Sequence, residues 1–303
     1  MVLSAPACCF VAAMARYPAS LHTNDGIVVM ALVSLASCGG GGGGPGGSGG
    51  VGGGNGHPRT ITGIRGSGPR FSPDGTLLAY ARDTGTTTFE LAVMTAAGAD
   101  SRSLASDGNR LLGMVWTADG SELIYGSADT GMRTAQLTGG PSQFLFDTPD
   151  ALNPDLSPDG RWLAYGVYDG HLQLADLSQS PPVLSDLGFF VDTPRFSPDG
   201  ATLALNTGLK IQLLDLASRT LTDVIDVEYP LGRVDWFPDG TRLLAGTERG
   251  IEIITLGPPI QRQTIEAGGG GSYLQVRDVD LSPDATSVAF AREGSELLLL
   301  TGF

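Results

Sequence analysis

From residue 57 onward the chain alternates short aliphatic runs with polar breaks, and the whole pattern repeats. The segments PRFSPDGTLLAY (69–80), MVWTADGSELIY (114–125), PDLSPDGRWLAY (154–165), PRFSPDGATLAL (194–205), VDWFPDGTRLLA (234–245) and VDLSPDATSVAF (279–290) each read as an apolar strand, a tight turn and a second apolar strand. Their turn aspartates, Asp74, Asp119, Asp159, Asp199, Asp239 and Asp284, are 45, 40, 40, 40 and 45 residues apart. A period of this length is that of a four-stranded propeller blade, so the pattern predicts an all-β, six-bladed β-propeller over 57–303.

The turn residues have separate physical tasks. Proline presets φ, aspartate can bond the backbone two residues on, and glycine takes the positive φ that closes the hairpin. These six aspartates are therefore expected to be structural turn residues. Third strands are expected at His171–Leu177, Lys210–Leu216 and Glu252–Leu256, and outer ones at Pro182–Leu187, Arg219–Ile225 and Gln261–Glu266. The sixth repeat has three strands and no fourth. Arg59-Thr60-Ile61-Thr62 resembles the outer-strand segment Arg219-Thr220-Leu221-Thr222, so the N-terminal strand is expected to complete the last blade and close the ring.

The first 56 residues have a different character. Ile27–Ser37 is an uncharged apolar run of eleven residues, which at 1.5 Å each covers about half a bilayer core. That length suits a signal-peptide core rather than a membrane span. The run ends in Leu35-Ala36-Ser37-Cys38, which resembles the bacterial lipobox. The resemblance implies removal of 1–37 as a signal peptide, with lipid on Cys38; secretion followed by release is the alternative. Gly39–Gly56 holds fourteen glycines in eighteen residues and reads as a flexible tether reaching roughly 20–25 Å. The G-x-S-x-G match at 46–50 lies inside this run, without the strand and helix that a nucleophile elbow needs.

The S-P-D-G segments resemble the WD-like repeats of the TolB family over about residues 57–303. Two copies depart from the pattern: Ala118 replaces the turn proline and Ala285 the turn glycine. The resemblance implies a periplasm-facing envelope propeller that binds other proteins. Gly39 after Cys38 lacks the aspartate that retains many lipoproteins at the inner membrane, so the outer membrane is the expected location.

Composition narrows the chemistry. The net charge is −14, all of it beyond residue 38, which disfavours nucleic acid as a partner. All three cysteines lie in the first 38 residues, and only His57 and His171 follow them. No catalytic set, metal site or cofactor is expected, and the chain is expected to be a monomer anchored through its lipid. One column of the repeat stands out. Four positions before each turn aspartate lie Arg70, Val115, Asp155, Arg195, Asp235 and Asp280, on the innermost strands. They could be ion pairs between neighbouring blades, the wall of a channel that binds a small molecule or carbohydrate with lyase or hydrolase chemistry, or a poor Ca²⁺ cage. Asp278, Asp280 and Asp284 cluster in sequence. Phe189, Phe190 and Tyr229 are expected to edge one rim, where aromatic residues suit protein contact.

Overall fold

The computed structural model describes residues 59–303 except 86–88, 107–109, 129, 149, 169, 192, 228–231, 248, 268–275, 277 and 293–295. The leader, the glycine tether, Cys38 and Tyr229 lie outside the described residues. Among the described residues there is no helix.

Six antiparallel four-stranded blades form the ring. Blade 1 begins in the inner half of the strand Arg59–Phe71 and continues through Leu77–Asp83, Phe89–Thr95 and Arg102–Ala105. Blade 2 comprises Leu111–Trp116, Glu122–Ser127, Gly131–Gln136 and Gln143–Phe146. Blade 3 comprises Leu152–Leu156, Trp162–Gly166, His171–Asp176 and Val183–Phe190. Blade 4 runs through Thr193–Phe196, Thr202–Asn206, Lys210–Asp215 and Leu221–Asp226. Blade 5 runs through Val234–Trp236, Arg242–Thr247, Gly250–Thr255 and Gln261–Ala267. Asp278–Leu281, Ser287–Arg292 and Glu296–Thr301 make three strands of blade 6. The first strand of each blade touches the first strands of both neighbours, which closes the circle.

The fourth strand of blade 6 comes from the N-terminal side, as expected. Arg59 and Thr60 pair with Leu299 and Leu298, whereas Arg70 and Phe71 pair with Ala79 and Leu78. One thirteen-residue strand thus serves two blades, and their sheets merge into one of seven strands. Gly66 sits at the crossing. A Cβ there would stand 2.6 Å from the Ala81 carbonyl and 2.7 Å from the Tyr80 ring, so no larger residue fits. Joining the blades this way leaves no open sheet edge at the seam.

The core is laminated, with one apolar cluster between each pair of neighbouring blades. Second strands are consequently buried on both faces and read as continuous apolar runs. Their Leu-Ala-Tyr flavour has a packing cause, because successive side chains point to opposite faces. Leu78 and Tyr80 pack against blade 6, while Ala79 and Ala81 leave room for side chains of blade 2. Leu163 and Tyr165 likewise face blade 2, and Ala164 faces blade 4. Large side chains of one blade fill the space over small ones of the blade before it.

The turns also lock neighbouring blades. A Cβ built on Gly75, Gly120, Gly200 or Gly240 would lie 3.4–4.0 Å from Pro283, Pro73, Pro158 or Pro198, the turn proline of the preceding blade. Gly160 has nothing within 4 Å, and the preceding blade is the one carrying Ala118 in place of proline. Ala285, standing where the other turns have glycine, still holds φ at 57°.

Candidate functional site

Five of the six column residues, Arg70, Asp155, Arg195, Asp235 and Asp280, come together at the axis of the ring. The Arg70 guanidinium donates to Asp280 at 2.8 Å and to the Met114 carbonyl at 3.2 Å. Arg195 donates to Asp155 at 2.5 Å and reaches past blade 5 to Asp280 at 2.7 Å. Its distance to Asp235 is 3.6 Å. Arg70, Asp155, Arg195 and Asp280 are all buried.

The column also stitches blades through the backbone. Asp280, Asp155 and Asp235 accept from the backbone N–H of Phe71, Phe196 and Leu281, each on the next blade, at 2.7–2.8 Å. At two other junctions the later blade again donates, but through a side chain to a backbone carbonyl. The indole N–H of Trp116 donates to the Arg70 carbonyl at 3.0 Å, and that of Trp236 to the Arg195 carbonyl at 3.1 Å. Five of six junctions therefore carry such a link. The sixth, between blades 2 and 3, has Val115 facing Leu156, and its packing is apolar.

Burial governs the ionisation of this layer. It drives the Asp155 carboxyl well above the ordinary range, against the Phe196 N–H, and the charges of Asp235 and Asp280 push the same way. Asp280 is pushed up to about 8 by burial and then by Asp235, with Arg195 opposing. Two arginines face three carboxylates here, so one proton is readily retained by the cluster.

Sequence inspection of one column misses a second tier. Two positions earlier in the repeat register, with Arg233 just ahead of its strand and the others on theirs, stand Gly68, Gly113, Asn153, Thr193, Arg233 and Asp278. Arg233, of which 4% of the side chain is exposed, donates through Nη2 to Asn153 Oδ1 two blades away. Its Nε lies 3.4 Å from Asp278 Oδ1, and the Gly68 N–H donates to Asp278 Oδ2 at 3.2 Å. The signal was present in the sequence as the repeat register itself, but five residue types at six positions disguised it.

The turn aspartates lie elsewhere, at the hairpins between first and second strands. Asp74, Asp119, Asp159, Asp199, Asp239 and Asp284 each accept the backbone N–H two residues on, at 2.8–3.1 Å. In five of the turns a Ser or Thr hydroxyl two residues earlier also donates to the carboxylate, at 2.5–2.7 Å. Those hydroxyls hold the five carboxyls below the usual range. At Asp239, where Phe237 replaces the hydroxyl, burial raises the carboxyl but Thr241 and Arg242 outweigh it.

Among the described residues, no group of three His, Cys, Asp or Glu side chains stands so as to hold a metal ion. His171 opens the third strand of blade 3 and contacts Asp186 on the outer strand at 2.9 Å. Phe190, 67% exposed, packs edge-on against it at 5.5 Å between ring centroids, while Phe189 is half-buried. These phenylalanines end the outer strand Val183–Phe190, just ahead of the inner strand Thr193–Phe196.

No protein-family model matches the chain. Over 102 residues, 30% of its length, it is 31% identical to the small ribosomal subunit protein RACK1 of Schizosaccharomyces pombe. The match spans about a third of that curated relative, 32%. A chain in the crystal structure of the mitotic checkpoint complex superposes with a TM-score of 0.57 at 16% identity, over 81% of this chain and 90% of that one. At such identity the likeness is one of fold, and it agrees with the ring of six WD-like repeats.

Proposed function

We propose that the chain is a lipid-anchored protein of a bacterial cell envelope whose propeller is a rigid docking surface for other proteins, of the TolB-like kind. The lipobox-like Leu35–Cys38 and the glycine run behind it support the anchor and tether. They make residues 57–303 a body held off the outer membrane on its periplasmic side. Of the two similar proteins, one is named as a ribosomal subunit protein and the other comes from a complex, which favours an assembly role over catalysis.

One observation carries the docking role. The outer strand of blade 3, Val183–Phe190, lies at a sheet edge with unpaired backbone groups and exposes Val183, Leu184 and Phe190 at 56%, 43% and 67%. An apolar edge strand offers both ladder hydrogen bonds and side-chain contact to an extended partner segment. Gln143–Phe146 also exposes Phe144 but is half as long, and Leu221–Asp226 and Gln261–Ala267 each carry two charges.

The test is crosslinking in intact envelopes followed by capture, with wild type, Cys38→Ser and Leu184→Lys compared. The expected result is membrane-bound wild type with a discrete crosslinked partner, a soluble Cys38→Ser form, and loss of the partner in Leu184→Lys with folding intact. Membrane association unchanged in Cys38→Ser would refute the anchor, and an unchanged partner in Leu184→Lys would refute the docking edge.

A further inference from the structure

We propose that the tier formed by Gly68, Gly113, Asn153, Thr193, Arg233 and Asp278 is a receptor for a single carboxylate group, held by Arg233 and Thr193. Arg233 is buried, yet its Nη1, and its Nε beside Asp278 at 3.4 Å, make no hydrogen bond within the chain. The Thr193 hydroxyl, on the neighbouring blade of the same tier, is buried and makes none either. Buried donors without acceptors are costly, above all on a charged group. Among the described residues these are three of the four side-chain atoms in that condition, and all three belong to one tier.

Across the tier, space is left at Gly68. Gly68 and Gly113 have no side chain, at φ of 60° and 122°. A Cβ on Gly68 would only just touch the Arg233 Nη atoms, at 3.8 and 3.9 Å, whereas one on Gly113 would meet the Asn153 backbone at 2.8–2.9 Å and Nη2 at 3.0 Å, so that side is closed. Asn153, next in the tier, also holds a positive φ of 49°. The inner strands of blades 1, 2 and 3 shift register at this height. Bulges and positive φ at three successive blades are the kind of local strain that accompanies binding sites.

The chemistry of the groups left without a hydrogen bond selects the ligand. N–H, N–H and O–H are all donors, so an acceptor-only group fits, whereas a cation would meet the guanidinium. A carboxylate spreads its charge over two oxygens and can serve separated donors. The charges facing it are Arg233 and Asp278 in its own tier and Arg70, Asp155, Arg195, Asp235 and Asp280 in the next. With every group ionised that deeper layer is net negative and opposes an anion. Binding should therefore tighten as pH falls through about 8, where Asp280 takes up its proton.

The experiment is a titration with sodium acetate, followed by melting temperature and calorimetry, against sodium chloride at matched ionic strength. Wild type is expected to show saturable stabilisation by acetate at pH 6, weakening at pH 9. Thr193→Val removes a hydroxyl that bonds nothing in the chain, so it should fold like wild type and bind acetate about five-fold more weakly, the loss of one hydrogen bond. Arg233→Gln should abolish the response. A peptide with a free C-terminal carboxylate that displaces acetate when its amidated twin does not would make the source a partner's terminus. Failure to displace would make it a free small acid. Wild type showing no saturable response beyond chloride, or Thr193→Val binding acetate unchanged, would overturn the proposal.

Discussion

Aspartate does opposite work in two regions of this ring. At the hairpin turns it sits in water, gathers a hydroxyl and a backbone N–H, and is held ionised. In the channel it is buried among arginines and other carboxylates, and Asp155 and Asp280 are pushed toward the protonated form. The turn residue ties together the residues two before and two after it in one blade. The channel residue joins blades that are 40 to 210 residues apart in sequence. Local order is thus provided by exposed ionised groups, and ring closure by buried groups whose charge is contested.

The two regions can be set against each other by substitution. Arg195→Gln should have the largest effect. It withdraws the cation that Asp155 and Asp280 share and leaves buried charge uncompensated, at about 3–5 kcal/mol by denaturant titration. A loss no larger than that of a turn variant would erase the distinction. Asp199→Ala is expected to lower the melting temperature by less, because Asp199 is exposed and the Ala201 N–H it leaves behind can bond water.

Smaller effects come from repairing the two irregular turns. Ala285→Gly should raise stability by about 0.5–1 kcal/mol, since an L-residue at φ 57° is strained. Ala118→Pro should add about 0.5 kcal/mol by limiting the unfolded chain and by covering Gly160, as Pro73 covers Gly120. Destabilisation by either change, read from melting curves, would mean that the turns are not interchangeable between blades.

Much of the ring is legible in the sequence because equal spacing places equivalent residues at equal height. The register alone aligns Arg70, Asp155, Arg195, Asp235 and Asp280, and the kinship of Arg59–Thr62 with Arg219–Thr222 points to the closing strand. Neighbour-by-neighbour pairing does not anticipate Arg195 meeting Asp280, since a guanidinium near the axis can reach past a blade. The Arg233 tier is hidden for another reason. Its members share a position rather than a residue type, and two contribute only the absence of a side chain. The outer strand expected to end at Leu187 runs on to Phe190, because strand ends are set by pairing, here with His171, rather than by apolar pattern.

The most direct test of the contrast is stability against pH. An aspartate lowered by folding stabilises above its unfolded value near 3.9 and loses that contribution as pH falls through its folded value. One raised by folding does the reverse: its contribution is complete below the unfolded value and is lost as pH climbs through the folded one, about 8 for Asp280. Denaturant titrations from pH 5 to 9 should therefore show wild-type stability declining as pH rises, and Asp280→Asn should flatten that decline. A wild-type profile that is level or rising across this range, or a decline unchanged in Asp280→Asn, would contradict the role given to the buried channel carboxylates.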